Sequence, residues 1–104
     1  MQKSDWKLIC DMLPKLRERY LAEQNARLAR LLAEPGKTET ERFWDTFQEM
    51  KRQSKVLRDC LDGYSRSSMW MNMRLMMSVG MLKPEDLAAF SEELQAEMKP
   101  LEQL

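Results

Sequence analysis

The 104-residue chain has no histidine and only three glycines, and both facts limit the classes of function that it can have. Histidine is the commonest general base near neutral pH and the commonest metal ligand, so the histidine-containing di-iron and zinc-protease helix motifs are excluded. The three glycines are isolated in the sequence and cannot form a phosphate-binding loop. We therefore expect a protein that is not an enzyme and that needs no cofactor or metal.

Cysteines and long apolar runs are also scarce. Cys10 and Cys60 are too few for the disulfide framework of a small secreted domain. The first ten residues lack the apolar run of a signal peptide, and Asn72 and Arg74 interrupt the best candidate for a membrane span. The 17 basic and 17 acidic residues cancel, which removes any global attraction to nucleic acid or membrane. The sequence predicts a cytoplasmic protein with reduced thiols and no membrane segment.

What the chain does have is a hydrophobic repeat with alternating spacings of four and three. Its positions are Phe43, Phe47, Met50, Ser54, Leu57, Leu61, Tyr64, Ser68, Met71, Leu75, Ser78 and Leu82. This spacing keeps one stripe of a helix turned toward a partner helix, as in a coiled coil. We therefore predict a long, coiled-coil-like helix that other helices must cover, either within this chain or from a second copy.

Turn and capping signals divide the chain into three helices within a single domain, residues 1–104. The predicted helices cover residues 5–33, 39–79 and 84–98. An interior proline removes a backbone hydrogen bond, so the first helix is expected to kink near Pro14. Thr38 and Glu41 have the spacing of a capping box, which marks the start of the second helix. The predicted fold class is all-α, a three-helix bundle completed by dimerisation.

Two glycines bear on where the second helix ends. Gly63 costs about 1 kcal/mol relative to alanine inside a helix, yet the repeat continues through it, so we interpret it as a bend. Gly80 is a better candidate than Gly63 for the end of the second helix, because glycine readily adopts the left-handed conformation that closes helices. If the first two helices form an antiparallel hairpin, Cys10 lies beside Asp62, and the methionine-rich segment 69–82 projects beyond the hairpin with nothing covering it.

The methionine-rich segment carries a second apolar arc, separate from the repeat. Its members are Met69, Trp70, Met73, Met76, Met77 and Met81. The third helix offers a single apolar stripe, so another surface must cover the rest of this helix. Three interpretations stay open: the core of a bundle completed by a second copy, an adaptable docking groove for a partner protein, and a thioether site for copper(I), which the lack of histidine disfavours.

Two further sets of residues are candidates for function. A basic face that could contact nucleic acid consists of Lys51, Arg52, Lys55 and Arg58. Acidic residues follow Lys55 and Arg58 by four positions, so pairing along the helix disfavours that interpretation. Cys10 and Cys60 fall within about one helical turn of each other in the hairpin register. They form a candidate redox pair, although free cysteines are usually small buried hydrophobes.

The predicted function is that of a non-enzymatic adaptor, regulatory or chaperone-like protein. It is expected to act as a homodimer and to bind an unidentified partner protein through the Met/Trp-rich arc. Two alternatives remain: a nucleic-acid-associated regulator that uses the basic face, and a small-molecule sensor with a pocket lined by Trp70 and methionines.

Overall fold

A computed structural model describes the backbone of residues 1–102 and the side chains of residues 1–99, and within that range the protein is helical with no strand. The helices are α1 (Lys3–Leu32), α2 (Glu39–Leu61), α3 (Met69–Val79), a 3₁₀-helix (Pro84–Ala89) and α4 (Glu92–Glu102). The all-α prediction is confirmed. The count of three helices is wrong, because two of the predicted helices are interrupted.

The predicted antiparallel hairpin is formed by α1 and α2. The hydroxyl of Tyr20 donates a hydrogen bond to the side-chain oxygen of Gln53, and Arg27 forms an ion pair with Glu49 at 3.1 Å. These contacts agree with the register expected from a turn at Pro35-Gly36. α1 continues through Pro14 without a break.

Two predicted helix ends are confirmed by their hydrogen bonds. At the start of α2, Thr38 Oγ1 accepts a hydrogen bond from the backbone N–H of Glu41 at 3.1 Å, and the Glu41 carboxylate accepts one from the N–H of Thr38 at 3.0 Å. At the end of α3, Gly80 has a φ of +80°, and the N–H of Met81 donates to the carbonyl of Met76 at 2.8 Å. This is the left-handed closure that glycine favours.

The second helix does not run from residue 39 to residue 79 as predicted, because α2 ends at Leu61. Gly63 adopts a φ of +66°, which takes the backbone out of the helical conformation. The serines that follow bond to each other instead of extending the helix: Ser68 Oγ accepts a hydrogen bond from the N–H of Ser65 at 3.0 Å. α3 therefore begins as a separate helix and runs back along α2.

The third predicted helix is also split, because side chains capture its backbone N–H groups. The Asp86 carboxylate accepts a hydrogen bond from the N–H of Lys83 at 2.7 Å, and this first part is a 3₁₀-helix. The N–H and hydroxyl of Ser91 both donate to the carboxylate of Asp5, at 2.9 and 2.6 Å. Ser91 Oγ in turn accepts from the N–H of Leu94 at 3.2 Å, which starts α4.

These breaks give the molecule a packed base and a protruding arm. The arm is the hairpin end, residues 21–53, and the base contains the rest of α1 and α2 together with α3, the 3₁₀-helix and α4. The end of α3 lies beside α1 at Arg19, which donates to the carbonyl of Met81 at 3.0 Å. The radius of gyration is 16.3 Å, whereas a compact chain of this length has about 13 Å.

Most methionines of the segment 69–82 lie in the core of the base, and Met71 is the exposed exception. Met69, Met73, Met76 and Met81 have no exposed surface, and Met77 is partly buried. They share this core with Ile9, Leu13, Leu16, Leu87, Phe90, Leu94 and Met98. The expectation that this segment projects uncovered is therefore wrong. The break after Leu61 turns α3 back onto the base, where α2 and α4 pack against it and α1 contributes to the shared core.

Candidate functional site: an aromatic face on the arm

α2 carries two parallel stripes with heptad spacing, one residue apart. The first stripe is mostly polar and consists of Arg42, Thr46, Glu49, Gln53, Val56 and Cys60. The second is the apolar stripe Phe43, Phe47, Met50, Ser54, Leu57 and Leu61. Successive residues of a helix differ by about 100° in direction, so the two stripes face different ways. Thr46, Gln53 and Cys60 are the buried residues of α2, which shows that the polar stripe faces α1.

A network around Glu49 fixes the polar stripe against α1. The Glu49 carboxylate accepts hydrogen bonds from Arg52 at 2.8 Å and from Gln53 at 3.0 Å, and it pairs with Arg27 of α1. Hydrogen bonds from Arg52 and then Gln53 lower the pKa of Glu49 below its usual value. Burial raises the pKa of the nearby Tyr20 phenol, which stays a donor to Gln53. The bonds from Arg52 and Gln53 lie within α2, whereas the Arg27 ion pair and the Tyr20 hydrogen bond join α2 to α1.

The apolar stripe is left in solvent along the arm. Phe43 is 57% exposed, Phe47 45% and Met50 53%, and the adjacent Trp44 is 53% exposed. These four residues are named the aromatic face. Trp44 makes edge-to-face contacts with both phenylalanines, with ring centroids 5.0 Å from Phe43 and 5.8 Å from Phe47. Such contacts stabilise the rings in one arrangement before any partner binds.

The same apolar stripe is covered where it enters the base. Leu57 and Leu61 are partly buried and pack against the core that α3 helps to form. The stripe therefore has a helical partner at one end and, among the described residues, none at the aromatic face. The aromatic face continues a packing surface that this chain already uses elsewhere.

The binding residues that the sequence predicts, from Met69 to Met81, lie in the base and not on the aromatic face. The four fully buried methionines cannot contact a partner while the base stays folded. The exposed apolar candidate is therefore on α2 and not on α3.

Trp70 is 40% exposed and lies near Arg74, with 5.8 Å from the guanidinium carbon to the ring centroid. Both line an open groove of about 610 Å³ beside the N-terminus of α1. The methionines of α3 do not line it, unlike the pocket predicted for a small-molecule sensor.

The predicted basic face is exposed and partly neutralised. Lys55 pairs with Asp59 at 2.8 Å, and Arg52 pairs with Glu49. Lys51 and Arg58 make no ion pair with the described side chains. The expected pairing of Arg58 with the acidic residue four positions later does not form, because α2 ends before that residue and the backbone there is extended.

The two cysteines are free thiols held in their protonated forms. Cys60 is buried in the base, and burial raises its pKa to about 11. Burial, followed by the charge of Asp11, also raises the pKa of Cys10. The thiolate is the reactive species of cysteine, so neither environment activates the thiol for redox chemistry. Their role as a redox pair stays a prediction.

Comparisons with known proteins found no match for this chain. No protein-family model matches it, and no curated protein or solved structure shows significant similarity to it. Within residues 1–102, no helix is both long and apolar enough to cross a membrane. No group of three or more acidic, cysteine or histidine side chains that could hold a metal ion occurs among the side chains described.

The aromatic face was not among the predicted binding residues, although the sequence contains a signal for it. Phe43, Phe47 and Met50 belong to the repeat that predicts a covering helix, and the sequence left open whether that helix comes from this chain or from a second copy. The polar residues with the same spacing include Glu49 and Gln53, which bond to Arg27 and Tyr20 of α1 opposite them. That second pattern indicates which side of α2 faces α1.

Proposed function

We propose that this protein is a non-enzymatic, cytoplasmic adaptor or regulatory protein that binds a helix of a partner protein through the aromatic face. The supporting observation is a set of four large apolar side chains, each about half exposed, on a helix whose other side is already packed. A contiguous apolar patch of several hundred Å² on a protein surface is often a functional site.

The size of the aromatic face suits a binding site. Fully exposed aromatic side chains present roughly 150–250 Å² each, so four residues at about half exposure present roughly 400 Å² together. At about 25 cal/mol per Å², covering that area contributes about 10 kcal/mol before the cost of association. The apolar area that the partner buries adds to this gross value, which is set against an association cost of about 4–15 kcal/mol.

The chemistry of the face favours a protein ligand. Tryptophan and other aromatic residues are enriched among the side chains that dominate binding energy in protein interfaces. Phe43, Phe47 and Met50 recur at heptad spacing, which matches the side-chain rows of a second helix. The Glu49 network holds α2 in place from behind, so little ordering is needed when a partner binds.

The experiment compares two double variants that are matched in exposure and spacing. Phe43→Ser/Phe47→Ser removes the aromatic face, whereas Met71→Ser/Leu75→Ser removes two residues of the base that are also four positions apart and are 54% and 45% exposed. Each immobilised protein is incubated with extract of the source cells, and the retained proteins are quantified. Circular dichroism confirms that each variant is folded.

We expect a protein that the wild type and the Met71→Ser/Leu75→Ser variant retain equally and the aromatic-face variant loses. A second copy of this chain counts as such a protein. Equal retention of the same proteins by all three chains contradicts the proposal, because it shows that the aromatic face contributes nothing to binding.

A further inference from the structure

The charges on α2 change sign at the middle of the aromatic face. Residues 39–48 contain three acidic side chains and one basic one, while residues 49–58 contain four basic and one acidic. The acidic residues are Glu39, Glu41, Asp45 and Glu49, and the basic residues are Arg42, Lys51, Arg52, Lys55 and Arg58. Phe47 lies at the junction, so the apolar surface is flanked by opposite charges at its two ends.

We infer that the aromatic face binds a second copy of this chain, with the two α2 helices antiparallel and crossing near Phe47. This inference rests on the proposed function and names its partner. An antiparallel arrangement places the acidic end of each helix against the basic end of the other. A parallel arrangement would place like charges together, which is unfavourable. A two-fold axis then uses the same patch on both copies.

Heptad geometry gives the register of this pair. Phe47 of one copy packs beside Met50 of the second copy in the apolar seam. On the flank of the seam, Lys51 lies over the ring of Trp44 of the second copy, an arrangement that favours a cation–π contact. One row further out, Lys55 lies opposite Glu41 of the second copy. Each of these contacts occurs twice because of the symmetry.

The area of the face agrees with what a dimer requires. Two copies contribute roughly 800 Å² of apolar side chain, by the same half-exposure reasoning. A standard interface buries about 1,600 Å² in total, of which about 57% is apolar, or roughly 900 Å². The second copy also has open access, because α1 packs on the polar stripe about 100° away and α3 stops short of the arm.

The first experiment measures association directly. Light scattering behind a sizing column, over nanomolar to high micromolar concentrations, should show a dimer for the wild type and for Met71→Ser/Leu75→Ser. Phe43→Ser/Phe47→Ser should remain a monomer at concentrations where the wild type is dimeric. A wild type that stays monomeric throughout overturns the inference. The proposed function then still stands if the aromatic-face variant loses a different captured protein.

The second experiment tests the antiparallel arrangement by exchanging two charges. Lys55→Glu places a carboxylate opposite Glu41 at both symmetric positions and should weaken the dimer by on the order of tenfold at low salt. Glu41→Lys should weaken it similarly, with Glu41→Gln as the control that keeps the capping box. The two positions are far apart on one helix and cannot contact each other within a chain.

The combined variant Glu41→Lys/Lys55→Glu should therefore recover most of the lost affinity, because each new lysine faces a new glutamate of the second copy. Sedimentation equilibrium measures the dissociation constants, and circular dichroism checks the fold of each variant. Recovery supports the antiparallel pair. A combined variant as weak as the weaker single variant overturns it, even where a dimer persists.

Discussion

The base and the arm of this molecule are built from the same two helices and differ in what covers them. In the base, α1 and α2 share a core with α3 and α4, and methionines such as Met69 and Met76 are completely buried. In the arm, only two helices are present, and they meet through polar residues around Glu49 and the buried side chain of Leu28. The apolar stripe of α2 has a helix against it in the first region and solvent against it in the second.

This comparison shows that an apolar repeat and a buried core are separate properties. The base derives its stability from apolar packing, whereas the arm depends on charge-assisted hydrogen bonds and helix caps. Regions with few buried apolar contacts open more easily than cores. We therefore expect the arm to open before the base.

The largest difference between the base and the arm is expected when one methionine is truncated in each region. Met73→Ala removes a fully buried side chain of the base and should lower the free energy of unfolding by about 2–5 kcal/mol. Met50→Ala removes a side chain that is 53% exposed on the arm and should change it by about 0.5 kcal/mol or less. Urea denaturation at protein concentrations below any association measures both. Equal effects would contradict the division into base and arm.

An intermediate effect is expected from Glu49→Gln, which weakens the network that joins the helices of the arm. The lost charge-assisted bonds should cost about 1–2 kcal/mol. Hydrogen exchange should report this loss in the arm amides first, with the amides of α3 much less affected. An equal loss of protection in α3 would show that the arm and the base open as one unit.

The contribution of Glu49 to the stability of the arm should decrease at acidic pH. The pKa of Glu49 is lower in the folded protein than its unfolded value of 4.5, so its stabilisation is complete above that value. The stabilisation is lost as the pH falls through the folded pKa, because the unfolded chain binds the proton more tightly. Glu49→Gln should remove this part of the acid sensitivity of the arm. The pKa of Asp86 in the base is lowered by its hydrogen bond from Arg19. The acid sensitivity that Asp86 gives to the base should therefore be the same in this variant.

A smaller and more local loss than that of Glu49→Gln is expected from Thr38→Ala, which removes the N-cap of α2 at the tip of the arm. A lost N-cap costs about 1 kcal/mol of helix stability. The increase in hydrogen exchange should be confined to the first turns of α2. Thr38→Ser, which retains the accepting hydroxyl, serves as the control and should behave like the wild type.

Much of the local structure followed from residues and their spacing. The Thr38–Glu41 capping box, the left-handed closure at Gly80 and the hairpin turn were predictable because each depends on a few neighbouring residues. The break after Leu61 was not predictable from periodicity. The connection between α2 and α3 covers residues 62–68 and has seven residues, the length of one heptad, so the apolar spacing continues through it unchanged.

The sequence by itself determined that the chain is helical, where its hairpin turns and which residues of α2 and α3 are apolar. Only the tertiary structure decided which of those apolar residues are covered. Periodicity records the direction in which a side chain points relative to its own helix, and it contains no information about the element on that side. Because α3 folds back, four methionines of the segment 69–82 are completely buried in the core, whereas Met71 and the aromatic residues around Phe47 remain exposed.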